Sequence, residues 1–536
     1  MKNVRILDCT LRDGGRVIDC KFSDKETAEI TKKLTTAGID IVEVGFLRDW
    51  RNTNYSGNST YFTDVNQIVS FLPSGVETEF VAFVDYGMFD FESLKEIDSR
   101  SISGIRVGFT KENYNSKLHD LVRCLKLIKD KGYKLFIQGV NSLNYSDIEL
   151  LTVIEMVNEI KPASFGIVDT YGAMYVDDVT RLYNLIDNNL QKDVAIDFHS
   201  HNNFQLSFSF AQEVIKLSRG VRDVIIDATL NGMGKAAGNL NTELITDFLV
   251  RKMDYDYNLD VIFDAIDEHI YDLLQKHRWG YSTSALMSGI YKSHPNNVFY
   301  LTEKFRLSTN DIKNLLSQLD EQARQRYDYD RLDKIHQDYY DTKYNDSNEL
   351  SALKTMFAGK PILVLAPGTT LNTHRLLIDE YIDQHDPVII SVNFISEYTN
   401  AYGFYANKKR YMRTEINDEI KTIATSNISK RKANEIIVDY YKLVNNGHKV
   451  FDNSTLMLLN LLKRLRVKEI AIAGMDGFSN NADNYFDPVL NVERLASRLN
   501  EINEGIVEVL TKHIAMISDV CSIRLLTPSI FENCFR

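Results

Sequence analysis

Apolar, β-branched runs recur through the first half of the chain, and each is followed by a stretch with helix-like spacing. The runs are VRILDCT near residue 4, IDIVEVGF near 39, TEFVAFV near 78, GIRVGFT near 104, KLFIQGV near 134, SFGIVDT near 164, VAIDFHSH near 194 and DVIIDATL near 223. Neighbouring runs lie about thirty residues apart, the spacing that a strand plus a returning helix requires. Between the first two, SDKETAEITKKLTTAG opens with Ser-x-x-Glu and closes on Gly, which predicts a capped helix. Eight such units in roughly 250 residues predict a (β/α)8 TIM barrel. The competing fold, a doubly wound open sheet, usually has fewer strands and often carries a glycine-rich phosphate loop in its first turn. Here that turn reads TLRDGG.

From about 255 to 350 the pattern changes to helical stretches rich in charge and tyrosine, ending in a solvated segment, QLDEQARQRYDYDRLDKIHQDYYDTKYNDSNEL. Strand-like runs return at GKPILVLAPGTTL, PVIISVNF and VKEIAIAGMDGF, the last preceded by a helical NSTLMLLNLLKRLR. The predicted organisation is α/β: a barrel over residues 1–290, a helical extension and linker over 291–350, and a second, Rossmann-like domain over 351–536.

Length and composition agree with this division. At 536 residues two or three domains are expected, and a hydrophobic content of 44 % suffices for their cores. The net charge of −12 is spread along the chain, which argues against nucleic acid or an anionic membrane as the main partner. No stretch approaches a membrane span and the N-terminus does not read as a signal peptide. The five cysteines (Cys9, Cys20, Cys124, Cys521 and Cys534) are scattered without a CxxC pair, so a reduced, cytoplasmic setting is expected.

In a barrel of this kind, functional groups collect at the carboxyl ends of the strands. The first strand ends in Asp8, Thr10, Arg12 and Asp13, the second in Glu43 and Gly45, the sixth in Asp169 and Thr170, and the seventh in His199, His201 and Asn202. His199 and His201 are two residues apart, so in a strand they share a face. Asp13, His199 and His201 can therefore converge. Two imidazoles and a carboxylate without thiolate suit Mn2+ or Mg2+, with Zn2+ or Co2+ as alternatives. Cys9, inside the first strand, is expected to be inert core. Gly232, Gly234 and Gly238 after the eighth run either shape a loop or offer backbone amides to a substrate anion.

DCTLRDGG, VEVGF, HSHNN and GMGKAAGN, in this order, resemble the DRE-TIM metallolyase superfamily of hydroxymethylglutaryl-CoA lyase, isopropylmalate and homocitrate synthases and 4-hydroxy-2-oxovalerate aldolase. With VDTYGAM, the segment DATLNGMGKAAGN is most similar to the aldolase branch, and the resemblance covers roughly residues 1–290. It implies that Asp13, His199 and His201 hold the metal, with Asn239 ligating or supporting it. It implies that Arg12 faces the oxygen that becomes an enolate, and that Asp8 and Glu43 orient Arg12 or a metal-bound water. The implied activity is that of a metal-dependent carbon–carbon lyase on a 2-oxo acid such as pyruvate, partnered by an aldehyde. A Claisen-type synthase using acyl-CoA is the alternative, as is a barrel kept only for binding. Self-association into a homo-oligomer is expected.

One position departs from the aldolase pattern. Where those enzymes place a histidine base shortly after Arg-Asp-Gly, this chain has Arg16, which is always protonated and suits a carboxylate or phosphate instead. Tyr281 and His294 are the candidates for the missing acid or base, and Thr170 and Gly234 are candidate substrate contacts. In the second domain, Gly368 and Thr369 of LVLAPGTTLN form a strand-to-helix turn of the kind that cradles phosphate. Together with EIAIAGMDGF it is distantly similar to nucleotide-sugar-binding folds of bacterial surface-polysaccharide enzymes, which implies a nucleotide or nucleotide sugar as ligand. A docking or oligomerisation role is the competing expectation, and transfer of a nucleotide sugar by this domain, with the barrel supplying its precursor, is a further alternative.

Overall fold

The computed structural model describes residues 3–49, 51, 55–304, 307, 309–340, 344–415, 419–428, 435–445, 448, 450, 452–479, 483–487, 490, 496–517 and 521–535. It divides into two compact units, one of residues 1–299 and 312–327, the other of residues 300–311 and 328–536.

The first unit is a (β/α)8 barrel. Its strands are β1 (Val4–Asp8), β2 (Ile41–Leu47), β3 (Glu79–Asp85), β4 (Gly104–Phe109), β5 (Lys134–Gly139), β6 (Ser164–Asp169), β7 (Ala195–Ser200) and β8 (Val224–Ala228). All pair in parallel with their sequence neighbours, and β1 closes the ring by pairing with both β2 and β8. Each of the eight apolar runs becomes one strand. The outer faces pack under the surrounding helices in one continuous core that includes Ile6, Val42, Val44, Ile105, Ile167 and Phe198. The helix Asp24–Thr36 starts with the expected capping box, Ser23 and Glu26 exchanging side-chain to backbone bonds of 3.1 and 2.7 Å.

Inside the barrel the character of the side chains changes with height. Leu7, Ile41, Val81, Phe136 and Ile225 form a small apolar cluster. Two residues further along, on the same inward face, stand Glu43 in β2, Gln138 in β5 and Asp227 in β8, joined by Arg106 from β4 and Asp197 from β7. β2 carries an irregularity between Glu43 and Gly45. A Cβ on Gly45 would lie 2.3 Å from the Thr60 carbonyl oxygen, so only glycine lets the Tyr61–Phe62 strand pair there.

The second unit is also α/β. Its seven strands are β9 (Ile362–Leu365), β10 (Val388–Val392), β11 (Tyr402–Tyr405), β12 (Lys421–Thr425), β13 (Ile436–Val438), β14 (Glu469–Ala473) and β15 (Ser522–Leu525). They form one parallel sheet in the order β13-β12-β11-β10-β9-β14-β15. No described helix of either unit is long and apolar enough to cross a membrane.

Candidate metal centre and active site

Asp13 follows β1 in the turn that carries Arg12, and His199 and His201 lie at the end of β7. The ligand atoms of Asp13, His199 and His201 all lie within 4.8 Å of one another. Asp13 Oδ2 is 3.3 Å from His201 Nε2 and 3.9 Å from His199 Nε2. Both rings are fixed from behind. His199 Nδ1 is 2.9 Å from Asp227 Oδ2, and His201 Nδ1 is 3.1 Å from the Asp169 carbonyl oxygen. A carbonyl can only accept, so His201 carries its proton on Nδ1. The carboxylate selects the same tautomer at His199. In its neutral form each ring thus turns Nε2 towards Asp13, the arrangement that supporting partners give to metal-binding histidines.

Asn239 completes the cluster. Its Nδ2 donates to Asp13 Oδ2 at 3.1 Å and to the Met233 carbonyl at 3.0 Å, while its Oδ1 is buried and has no hydrogen-bond partner. A buried orphan oxygen beside a carboxylate and two imidazole lone pairs is what a divalent cation site with N and O ligands requires. Cys9, His199 and Asp227 form a second cluster on the other side of the His199 ring. Burial pushes the Cys9 thiol well above its usual range, and it points at the Ala228 carbonyl, so it remains a protonated core residue.

Burial and the neighbouring charges set the protonation states. Burial pulls the His199 pKa down to about 3 against the opposing Asp13 carboxylate, with His201, Arg12 and Arg106 acting in the same direction as burial. At His201 burial acts the same way, but Asp13 and the Asp169 carbonyl outweigh it and raise the pKa above its ordinary value. At Asp13 burial favours the neutral acid, but Arg12 and the two histidines hold the carboxyl well below the usual range.

Arg12 donates from Nε to Glu43 Oε2 at 2.5 Å and from Nη1 to Asp13 Oδ1 at 2.6 Å, with its guanidinium 4.4 Å from the centre of the Phe83 ring. Glu43 therefore holds the Arg12 guanidinium in place. Asp8 does not. It accepts from Thr10 N–H at 2.9 Å and from the Thr242 hydroxyl at 2.6 Å, because it ends β1 one turn away from Arg12 and ties that turn to the helix after β8.

The same network contains residues that motif reading missed. Arg106, fully buried, donates to Glu43 at 3.0 Å, Asp197 at 3.0 Å and Asp227 at 2.7 Å. Gln138 donates to Asp197 at 2.6 Å. A continuous polar path thus runs from Arg12 through Glu43, Arg106 and Asp227 to His199. The signal was present in the sequence. Asp197 stands two residues before His199 on the same strand face, and Arg106 interrupts an apolar run.

The other expected residues are placed as follows. Arg16 lies 3.3 Å from Asp13 Oδ1 and 3.7 Å from Asp85, over the Phe46 ring at 4.7 Å, so it belongs to the site. Gly234 lets Asn239 approach, since a Cβ there would meet Asn239 Nδ2 at 2.6 Å. The Gly232 and Gly238 amides are spent on the Thr229 and Lys235 carbonyls, so these two glycines shape the loop. The Thr170 hydroxyl accepts from Asn141 N–H at 2.8 Å and anchors the neighbouring loop. His294 lies against Tyr327 with the rings tilted by 46° and their centres 4.8 Å apart, and it accepts the Asn296 N–H at Nδ1, 3.1 Å away. Burial, then Lys235, Arg16 and His201, bring its pKa down to about 3. A neutral imidazole with Nδ1 so engaged carries its proton on Nε2 and acts as a donor, which removes it as the base. Tyr281 is 57 % exposed and is not part of the buried cluster. In the second unit, the turn at Gly368 and Thr369 is not an open phosphate cradle. Asp476 accepts from the Thr369 hydroxyl at 2.9 Å and from Thr370 N–H at 2.9 Å, and the Gly368 amide donates to the Gly474 carbonyl. A carboxylate of the chain itself sits where the anion was expected.

Residues 3–268 match the HMGL-like family model. The 4-hydroxy-2-oxovalerate aldolase of Pelotomaculum thermopropionicum is 22 % identical over 58 % of this chain and 89 % of its own length. The probable 2-isopropylmalate synthase of Methanosarcina acetivorans is 25 % identical over 44 % of each chain. Among solved structures, the HMG-CoA lyase of Brucella melitensis covers 51 % of this chain at 16 % identity with a TM-score of 0.41. The chain thus spans most of the aldolase relative and less than half of the synthase relative. Both are matched over a region no longer than the barrel with its following helices. The barrel of residues 3–268 is therefore an HMGL-like domain, the domain of the DRE-TIM metallolyases, whose enzymes depend on a divalent metal.

Proposed function

We propose that the barrel makes or breaks a carbon–carbon bond beside the carbonyl of a 2-oxo acid, with a divalent cation held by Asp13, His199, His201 and Asn239. The carrying observation is that the ligand atoms of Asp13, His199 and His201 converge near the buried Arg12 guanidinium, while Asn239, bonded to Asp13 through Nδ2, keeps a buried Oδ1 without a partner. The cation, when bound, supplies Lewis-acid polarisation of the keto oxygen.

Arg12 supplies the second positive charge. Its Nε and Nη1 are committed to Glu43 and Asp13, so Nη2 is the edge that meets a substrate oxygen. The Glu43 and Asp13 bonds fix that edge before substrate arrives, so no reorganisation is needed as charge develops on the oxygen. The Arg106 network holds Glu43 and Asp227, and through them Arg12 and the His199 tautomer. Arg16 stands where the aldolases have a base. Its guanidinium binds and orients an anionic group of the second substrate.

The decisive experiment is NMR of pyruvate in D2O with the full chain and Mg2+, with chelated protein as control. Metal-dependent exchange of the methyl protons is expected. Absence of exchange from metal-loaded protein, both alone and with a panel of aldehydes, overturns the reading.

A further inference from the structure

The second unit contains a cavity of about 600 Å³ whose walls come from the carboxyl ends of its central strands. The chain enters the sheet at β9, moves outward through β10 to β13, then returns to the other side of β9 as β14. The loops after β9 and β14 therefore leave in opposite directions and open a crevice between them, the place where open parallel sheets bind ligands. Ala366 to Gly368 follow β9 and Gly474 to Phe478 follow β14, and both segments line the cavity. Gly474 adopts φ +75°, and a Cβ there would lie 2.0 Å from the Ala366 carbonyl oxygen, so the crevice requires a glycine at this turn.

The lining is chemically two-sided. One wall carries Lys409, Arg410 and Arg413 of the helix Lys408–Arg413. Arg410 is held in place, donating to the Leu490 carbonyl and lying 5.4 Å from the Tyr485 ring centre, while Lys409 and Arg413 are exposed at the mouth. Hydroxyls of Ser454 and Thr455 also line the space. The other wall is apolar, built by Met475, Ile506 and Phe531 among others. Between them Asn393 lines the cavity with a buried Oδ1 that has no hydrogen-bond partner. That acceptor is matched by a ligand N–H or O–H. The cavity's carboxylates do not form a metal cluster among the described residues, and Asp476 is consumed by Thr369 and Thr370. The volume lies in the usual range for a small-molecule site.

We infer that this cavity binds a phosphorylated small molecule, its phosphate against Lys409, Arg410 and Arg413 and an uncharged ring-sized body, bearing a donor for Asn393 Oδ1, against the apolar wall. The anion binds on the basic wall rather than at the Gly368 turn, which Asp476 has already closed. This site is independent of the barrel chemistry.

Isothermal titration of the full chain tests it with UDP, CDP, ADP, GDP and ribose 5-phosphate, and with inorganic diphosphate as a body-less probe. At least one of the ring-bearing phosphates is expected to bind one to one, and inorganic diphosphate more weakly. Arg413→Glu, an exposed change that leaves the fold intact, is expected to lower affinity about tenfold or more. Arg410→Ala is expected to do the same. His199→Ala is expected to leave binding unchanged. Failure of every probe at millimolar concentration overturns the inference. So does an affinity indifferent to Arg413→Glu, binding lost in His199→Ala, or inorganic diphosphate binding as tightly as the ring-bearing compounds.

Discussion

Asp13 shows how one side chain serves two neighbours. Its Oδ1 takes Arg12 and Arg16, and its Oδ2 faces Asn239 and the histidines. Charge placement and metal binding are therefore separable by mutation. Arg12→Lys keeps a cation but loses the planar fork, and it should lower kcat by about two to three orders of magnitude while leaving Mn2+ affinity nearly intact. Asn239→Ala should instead weaken Mn2+ binding by about 10- to 100-fold. Calorimetric titration with Mn2+ beside steady-state kinetics distinguishes the two, and equal loss of metal in both would make Arg12 a structural residue. His294 gives a pH prediction. Its pKa falls from 6.5 free to about 3 folded, so its neutral form stabilises the native state fully above about pH 6.5, and that stability is lost as pH falls towards 3. His294→Gln should flatten this acid limb. Urea midpoints at pH 7.5 and pH 5 should differ less for the variant than for the parent, and identical slopes would show that His294 is accessible and ordinary.

Strands, rather than loops, carry the support of the site. Five of the eight barrel strands meet in the Arg106 layer, through Glu43 of β2, Gln138 of β5, Asp197 of β7 and Asp227 of β8. Ionic groups without solvent are costly unless each is paired. Arg106→Met would leave three carboxylates without their shared cation and should destabilise the barrel by about 3–5 kcal/mol, read as a shift of the barrel's urea midpoint. A shift below about 1 kcal/mol would mean that the carboxylates take up protons or water without strain. Burial already raises the Asp197 pKa to about 7, which is the direction such relief would take. The eight strands and the first capped helix were legible in the sequence because burial on both faces writes continuous apolar runs, and a capping box writes Ser-x-x-Glu. The Arg106 layer was not read, because a single charge inside an apolar run has no motif. Only the barrel's curvature brings Arg106 to Asp227, 121 positions along the chain.

Two units with separate cores should respond separately to ligands. A cation that binds only the folded barrel stabilises it by mass action, by about 2.7 kcal/mol at a hundredfold excess over Kd. Calorimetric scans of the full chain should therefore show two transitions, with added Mn2+ raising one and leaving the other in place, and chelation reversing the shift. A shift of both together would show that the units unfold as one. The expected extension around residues 291–350 also takes a particular form at this scale. Residues 312–327 group with the barrel, and residues 300–311 and 328 onward group with the second sheet.

The sequence by itself determined the barrel, its strand ends and the convergence of Asp13, His199 and His201, since period-two alternation and strand-end placement are local rules that a parallel barrel turns directly into position. Tertiary structure alone decided which groups face one another across it. It assigned Glu43 rather than Asp8 to Arg12, made His294 a donor, exposed Tyr281, and closed the Gly368 turn with Asp476. The Arg12–Glu43 and Thr369–Asp476 contacts join residues far apart in the chain, and burial, not residue type, fixes the protonation state of His294.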